Sequence, residues 1–476
     1  MSSTQSNPFM SVLRFLWGAV NGVRRILHLI LLISIFSIIL IAVSPDTPVL
    51  PNKAALIISP SGALTEQLAG SPVDRAVDEA TGNAVPQTLV RDVVDALDFA
   101  AEDDRIGAIY LRTEGISSAS LPNLQRVADA ILRFRASGKP VIAYGAYFSQ
   151  QGYYLAAHAD ELVLDENGIV IADGYASYRN YYAEAIEKLS ISWNVFKVGT
   201  HKSFIEPYTR NDMSDYDRAF RQRIIDGLWA SYTAGVEQAR ELPTGTLQQF
   251  ADNFDDLLAE NGGDFATTSL ANDLVDELGT SISVRERMIE LVGTDEDNDT
   301  TFSQVGMQTY LASQRAFDVP PVDGDAIGVV VAVGSIVDGS APPGSIGGDS
   351  TARLLRSARQ DDDIKAVVLR VDSGGGSAFA SDVILQEILA LQAAGKPVIA
   401  SMGGVAASGG YWISMATDTI VAEPDTITGS IGILSMLPTF ERSLARLGVY
   451  TDGVGSTEIA GAMRVDRALT DKVKRV

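Results

Sequence analysis

The chain has no cysteine and only three histidines. The first absence removes disulfides and thiolate chemistry, and it leaves the redox compartment undecided. His28, His158 and His201 lie far apart with no HExxH-type spacing, so neither a histidine-rich zinc site nor any other metal or cofactor is expected. Basic residues are also scarce. Lys and Arg number 37 against 60 Asp and Glu, a formal net charge of −23 that repels nucleic acid and suits an acid-faced soluble body. A phosphate-cradling P-loop is missing as well, because both Gly-Lys pairs, Gly138-Lys139 and Gly395-Lys396, run into proline instead of Ser or Thr. What remains is a 476-residue chain with 46% hydrophobic residues, long enough for two or more domains with cores of their own.

One long apolar run does occur. Residues 26–43 are aliphatic, Phe or Ser apart from His28, close to the roughly 18 to 20 residues that cross a bilayer. Arg14, Arg24 and Arg25 precede the run, and the next basic residue after it is Lys53. The positive-inside rule therefore puts 1–25 in the cytoplasm, makes 26–44 an anchor and places the body in the periplasm or an equivalent space. A cleaved signal peptide fits less well: its apolar core is usually about 7 to 15 residues, and Pro45 follows where a cleavage site would fall.

The rest of the chain contains itself twice. The stretch Asp104-Arg105-Ile106-Gly107-Ala108-Ile109-Tyr110-Leu111-Arg112 recurs as Asp362-Asp363-Ile364-Lys365-Ala366-Val367-Val368-Leu369-Arg370, 258 positions on. Gly138-Lys139-Pro140-Val141-Ile142-Ala143 recurs 257 positions on as Gly395-Lys396-Pro397-Val398-Ile399-Ala400. Val90, Val93, Val94 and Leu97 have helical spacing, 108–111 reads as a buried strand, Leu124, Val127, Ala128 and Ile131 mark a second helix, and 141–144 starts another strand. The same alternation returns over 351–400. It predicts parallel strands with crossover helices, an α/β fold. The halves fall at 45–292 and 326–476, joined by a linker over 293–325 that opens with an acidic stretch and contains Pro320-Pro321. Residues 214–292 are helical in pattern, and the second copy stops before an equivalent stretch, which suggests a truncated chain.

Two segments carry chemistry. Gly374-Gly375-Gly376-Ser377 follows a strand and precedes a helix, so its N–H groups converge where a phosphate or an oxyanion would be held; an empty structural turn is the plain alternative. Ser408 sits in Ala406-Ala407-Ser408-Gly409-Gly410, where small neighbours admit a carbonyl to the hydroxyl and the Gly409 N–H is placed to join that of Gly375 or Gly376. The first copy has Gln151 at the place of Ser408 and Thr113-Glu114-Gly115 at the place of the glycine turn, so it lacks the nucleophile. A serine needs a base, and Lys202 in Gly199-Thr200-His201-Lys202-Ser203 is a better candidate than His201, which has no aspartate spaced for a triad. A lysine acts as a base only when burial depresses its pKa from about 10.4, by roughly 3 pH units at about 4 kcal/mol. Without that burial it is an ordinary surface lysine.

These segments, with Glu206-Pro207 and Thr428-Gly429-Ser430-Ile431-Gly432, resemble the membrane-anchored signal peptide peptidase A (protease IV) family in its long duplicated form. The resemblance implies two tandem ClpP/crotonase-like α/β domains after an N-terminal transmembrane helix. It implies Lys202 as base, Ser408 as nucleophile, Ser430 orienting the lysine and Gly375 with Gly409 as oxyanion donors. It further implies a homotetramer on the bacterial inner membrane, acting on signal peptides and other apolar peptides. One departure stands out: the family's Asn-Ser-Pro-Gly-Gly-Ser turn reads Asp372-Ser373-Gly374-Gly375-Gly376-Ser377 here, with glycine for proline. Acyl-CoA chemistry of the crotonase type and an inactive, membrane-tethered peptide-binding scaffold are the rival expectations.

Overall fold

A computed structural model describes residues 17, 21–22, 24–34, 36, 50–199, 202–316 and 324–475. Two parallel sheets organise them. The first has six strands in the order Gln304–Gly306, Ala54–Ile58, Ile106–Leu111, Val141–Phe148, Glu161–Val170 and Glu277–Gly279. The second has Ala326–Val333, Ile364–Ser373, Val398–Ala407 and Thr419–Val421 in that order, with Ile427–Gly429 added farther along Val398–Ala407. Every neighbouring pair within these two sheets is parallel.

The helices arise where the spacing of apolar residues demands them. Val90–Glu102 buries Val90, Val93, Ala96, Leu97 and Ala100 on one stripe, and Leu121–Ala136 begins at Ser120, whose side chain accepts the Asn123 N–H. Their counterparts in the second half are Gly348–Gln360 and Ala378–Ala393, each preceding its strand as in the first copy. Two large cores result, one centred on Leu56, Ile109, Leu111 and Phe134, the other on Leu369, Val371, Ile384 and Ile388.

The remaining expectations meet three qualifications. Residues 293–325, read as a linker, carry the strand Gln304–Gly306 and the helix Met307–Arg315, and both belong to the first half. The strand pairs with Ala54–Ile58, and Tyr310 of the helix joins the first core. Helix Ser281–Val292 covers the other face of the first sheet through Val284, Met288 and Val292 against Ala55, Ala108 and Ile142, whereas Ile327 and Val329 on the second sheet are exposed. The expected anchor at 26–44 falls partly outside the described residues; Arg24–Ser34 are helical there, and among the described residues no helix is long and apolar enough to cross a membrane.

The halves are bound together by contacts that neither could make alone. Ser192–Val198 pairs antiparallel with Ile433–Thr439, Ser192 opposite Thr439 and Val198 opposite Ile433. Ser120 lies so close to Gly404 that a Cβ there would come within 2.4 Å of it. Between these contacts Glu66 of the first half accepts from Arg126 at 2.6 Å and from Arg370 of the second half at 2.8 Å. Burial by itself would raise the Glu66 carboxyl, but the hydrogen bonds and charges of Arg370 and Arg126 overcome it and hold the group below its ordinary range.

Because the folded pKa is depressed, this stabilisation is complete above the unfolded value of about 4.3 and fades as the pH falls through the lower folded one. Glu66→Ala strands the Arg370 guanidinium, whose side chain is 13% exposed, and is expected to destabilise by about 3 kcal/mol. Denaturant unfolding at pH 7 checks this, and the difference between variant and parent should shrink near pH 3.

Candidate active site

Lys202 and Ser408 meet. The lysine Nζ lies 3.0 Å from Ser408 Oγ, 2.6 Å from the Ser430 carbonyl oxygen and 3.1 Å from Ser430 Oγ. Lys202 is only 9% exposed, and burial alone lowers its pKa, with no neighbouring carboxylate holding the charged form. Nζ donates to all three oxygens, Ser408 Oγ, the Ser430 carbonyl oxygen and Ser430 Oγ; only a deprotonated amine has a lone pair with which to accept the Ser408 hydroxyl instead.

Ser408 is placed by backbone strain. It ends the strand Val398–Ala407 and caps the short helix Gly409–Trp412 with φ 54° and ψ −115°, a conformation that costs a non-glycine residue about 1–3 kcal/mol. Its N–H donates to the Gly429 carbonyl at 2.8 Å, and its own carbonyl accepts from Trp412 at 2.9 Å. Ser430 also has positive φ, 51°. In the first copy the corresponding helix Gln150–Ala156 starts from Ser149 in an ordinary extended conformation, with the Gly152 N–H donating to Ser149 Oγ at 3.2 Å. The first copy thus caps this helix without the sharp bend, and Gln151, which aligns with Ser408 in sequence, lies inside the helix.

The glycine turn packs directly on this bend. A Cβ on Gly375 would fall 2.5 Å from the Gly409 nitrogen and 2.8 Å from Ser408 Cβ, and its φ of 102° is one that favours glycine. Ile336 holds the turn from the other side: its N–H donates to the Gly375 carbonyl at 3.1 Å, and its carbonyl accepts from Ser377 at 2.9 Å. The Gly375 N–H donates to Ser373 Oγ at 3.1 Å, whereas the N–H groups of Gly376 and Gly409 have no acceptor among the described residues. Gly409 is buried beside Ser408, and Gly376 lies at the exposed edge of the turn.

A pocket of about 360 Å³ opens beside Lys202 and Ser430, lined also by Phe204, Tyr216, Phe220 and Ile431. A neighbouring one of about 320 Å³ continues past Phe220 to Ile224, Leu228 and Ile427. These walls, which also carry Arg221, Arg223 and Asp425, come from the turn Ser203–Ile205 and helix Asp215–Ala239 of the first half and from residues 424–431 of the second. Sequence reading left them out because helix Asp215–Ala239 spreads its apolar residues around its circumference, and only the folded chain shows which side faces the site. His201 lies outside the described residues. His158 is buried against the Tyr154 carbonyl at 2.7 Å, and among the described residues no group of three or more His, Cys, Asp or Glu is placed to hold a metal ion.

The pattern that defines Peptidase family S49 matches residues 133–295 and 390–476, stretches that include Lys202, Ser408 and Ser430. Protease 4 of Salmonella typhi is 39% identical over 415 residues, 87% of this chain and 65% of that protein. Protease 4 of Haemophilus influenzae is 36% identical over 463 residues, 94% of this chain and 74% of the relative. The chloroplastic serine protease SPPA of Arabidopsis thaliana is 30% identical over 367 residues, 76% and 52% of the two chains. The chain thus spans about two thirds to three quarters of the two bacterial relatives. It belongs to peptidase family S49.

Proposed function

We propose that the protein is a serine endopeptidase that uses Lys202 as general base and Ser408 as nucleophile. The observation that carries this reading is the 3.0 Å contact between a buried amine and the hydroxyl of a strained serine. Neutral Lys202 takes the proton of Ser408 as Oγ attacks the scissile carbonyl, and then returns it to the leaving amine. Ser430 holds the amine in place by its carbonyl and hydroxyl oxygens. The negative oxygen of the tetrahedral intermediate is met by the Gly409 N–H and an N–H of the Gly375-Gly376 turn. The acyl-enzyme is then hydrolysed by water that Lys202 deprotonates.

Substrate class follows from the walls of the site. Phe204, Phe220, Ile224, Leu228, Ile427 and Ile431 favour extended apolar peptides, the chemistry of signal peptides after their removal from secreted proteins. A single anchor at 26–44, a body on the periplasmic face of the bacterial inner membrane and a homotetramer complete this reading. It is supported by the apolar run that follows Arg24-Arg25 and by the kinship with Protease 4. An inert peptide-binding scaffold would have no use for a buried lysine pointed at a strained serine, and acyl-CoA chemistry would not need the pair.

Ser408→Ala and Lys202→Ala are each expected to lower hydrolysis of an apolar reporter peptide by about a thousandfold or more, with the far-ultraviolet circular dichroism unchanged. Fluorophosphonate labelling should disappear in Ser408→Ala; labelling that persists there assigns the nucleophile elsewhere. Because Lys202 acts only when neutral and burial lowers its pKa, kcat/KM should climb with pH along a single acid limb below the ordinary lysine value, and a flat profile between about pH 6 and 9 would count against a lysine base. Gly375→Ala pushes a methyl into the Gly409 nitrogen and should slow labelling by at least about tenfold.

A further inference from the structure

The loop that carries Lys202 has little secondary structure of its own. A three-residue 3-10 turn, Ser203–Ile205, and the four-residue helix Glu206–Thr209 follow the lysine, and its N–H reaches the Gly199 carbonyl only at 3.4 Å. Yet the amine must stay within hydrogen-bond reach of three oxygens. What fixes it is the start of helix Asp215–Ala239. Ser203, the next residue after the lysine, donates its hydroxyl to Asp217 Oδ1 at 2.5 Å. Three residues on, Glu206 accepts the Ser214 hydroxyl at 2.6 Å and the Ser214 N–H at 2.9 Å, and Ser214 caps the same helix by accepting the Asp217 N–H at 3.1 Å.

Asp217 is the fixed point of this arrangement. It is fully buried, accepts from Arg221 Nε at 2.9 Å and from Arg179, and Arg221 is held in turn by Ser177 Oγ at 3.2 Å. Burial by itself would raise the carboxyl; the Ser203 hydroxyl and the two guanidinium groups keep it ionised and below its usual range. A buried carboxylate with two charged donors is a rigid anchor, and it offers its remaining oxygen to the residue beside the base.

We propose that Asp217 is the positioning residue of the lysine base: acting through Ser203, it holds the 202–206 loop so that the Lys202 amine stays in the dry gap between Ser408 and Ser430. This rests on the Ser/Lys reading above and extends it to residues that touch neither substrate nor reacting atoms. Loosening the link has a signed consequence. Water that reaches Lys202 relieves its desolvation, so its pKa moves back toward the ordinary value, and the acid limb of activity shifts to higher pH. A purely structural role for Asp217 would lower the amount of folded enzyme and leave that limb in place.

The test uses the full chain. Ser203→Ala removes one hydrogen bond and leaves both Arg–Asp pairs, so it is the gentle variant; Ser203→Thr keeps the hydroxyl; Asp217→Asn removes the anchor. For each, kcat and KM on an apolar peptide, and the rate of Ser408 labelling by a fluorophosphonate, are measured against pH. Ser203→Ala is expected to lose about tenfold in kcat and labelling rate, with KM within about twofold and the acid limb displaced upward, and Ser203→Thr to restore most of both. Asp217→Asn should lose more in the same direction. A parental pH profile and kcat in Ser203→Ala, with Lys202→Ala inactive, overturns the positioning role alone. Hydrolysis that survives Lys202→Ala overturns the dyad itself and this inference with it.

Discussion

Lys202 follows four residues after Val198, and Ser430 precedes Ile433 by three; Val198 and Ile433 are the opposed residues at one end of the antiparallel ladder that joins the two halves. The register of that ladder therefore decides where the amine lies. Its seven paired positions bring two loops, more than two hundred residues apart in the chain, to the same point, and the lysine is buried only because both halves close over it. The pKa depression, the contact with Ser408 and the apolar pocket beside them all depend on this pairing. The buried link of Glu66 to Arg370 and the close approach of Ser120 to Gly404 hold the same two bodies together elsewhere.

The two copies differ in backbone strain at the bend that follows the strand. Both copies run strand, glycine or glycine-poor turn, helix, strand and short helix, but the bend at Ser408 has positive φ while the bend at Ser149 is relaxed. The difference is accompanied by the glycine turn, since Gly375 admits the Gly409 nitrogen where a Cβ could not fit. The first copy contributes Lys202, helix Asp215–Ala239 and part of the walls of the pocket.

Much of the fold was legible from periodicity. Val90, Val93 and Leu97 marked a helix, and the recurrence of Gly-Lys-Pro ahead of an aliphatic run marked equivalent strands, because buried parallel strands and amphipathic helices leave different spacings of apolar residues. The strand Gln304–Gly306 escaped notice, being three residues long and polar at its first position; it is defined by its pairing with Ala54–Ile58, about 250 residues away in the chain. Arg179, Asp217 and Arg221 escaped for a related reason. Charged residues on a helix and in a loop usually face water, and nothing local reveals that these three converge in the interior.

The sequence by itself determined the parallel α/β architecture, the internal repeat, the lack of any thiol, and the two segments that hold the serine and the lysine, because each is written in local composition and spacing. Only the tertiary structure decided that the two segments face each other at 3.0 Å, that the lysine is buried, and that a buried carboxylate accepts from the residue beside it. Those properties arise from contacts between residues far apart in the chain, and desolvation belongs to the closed site instead of to any one residue.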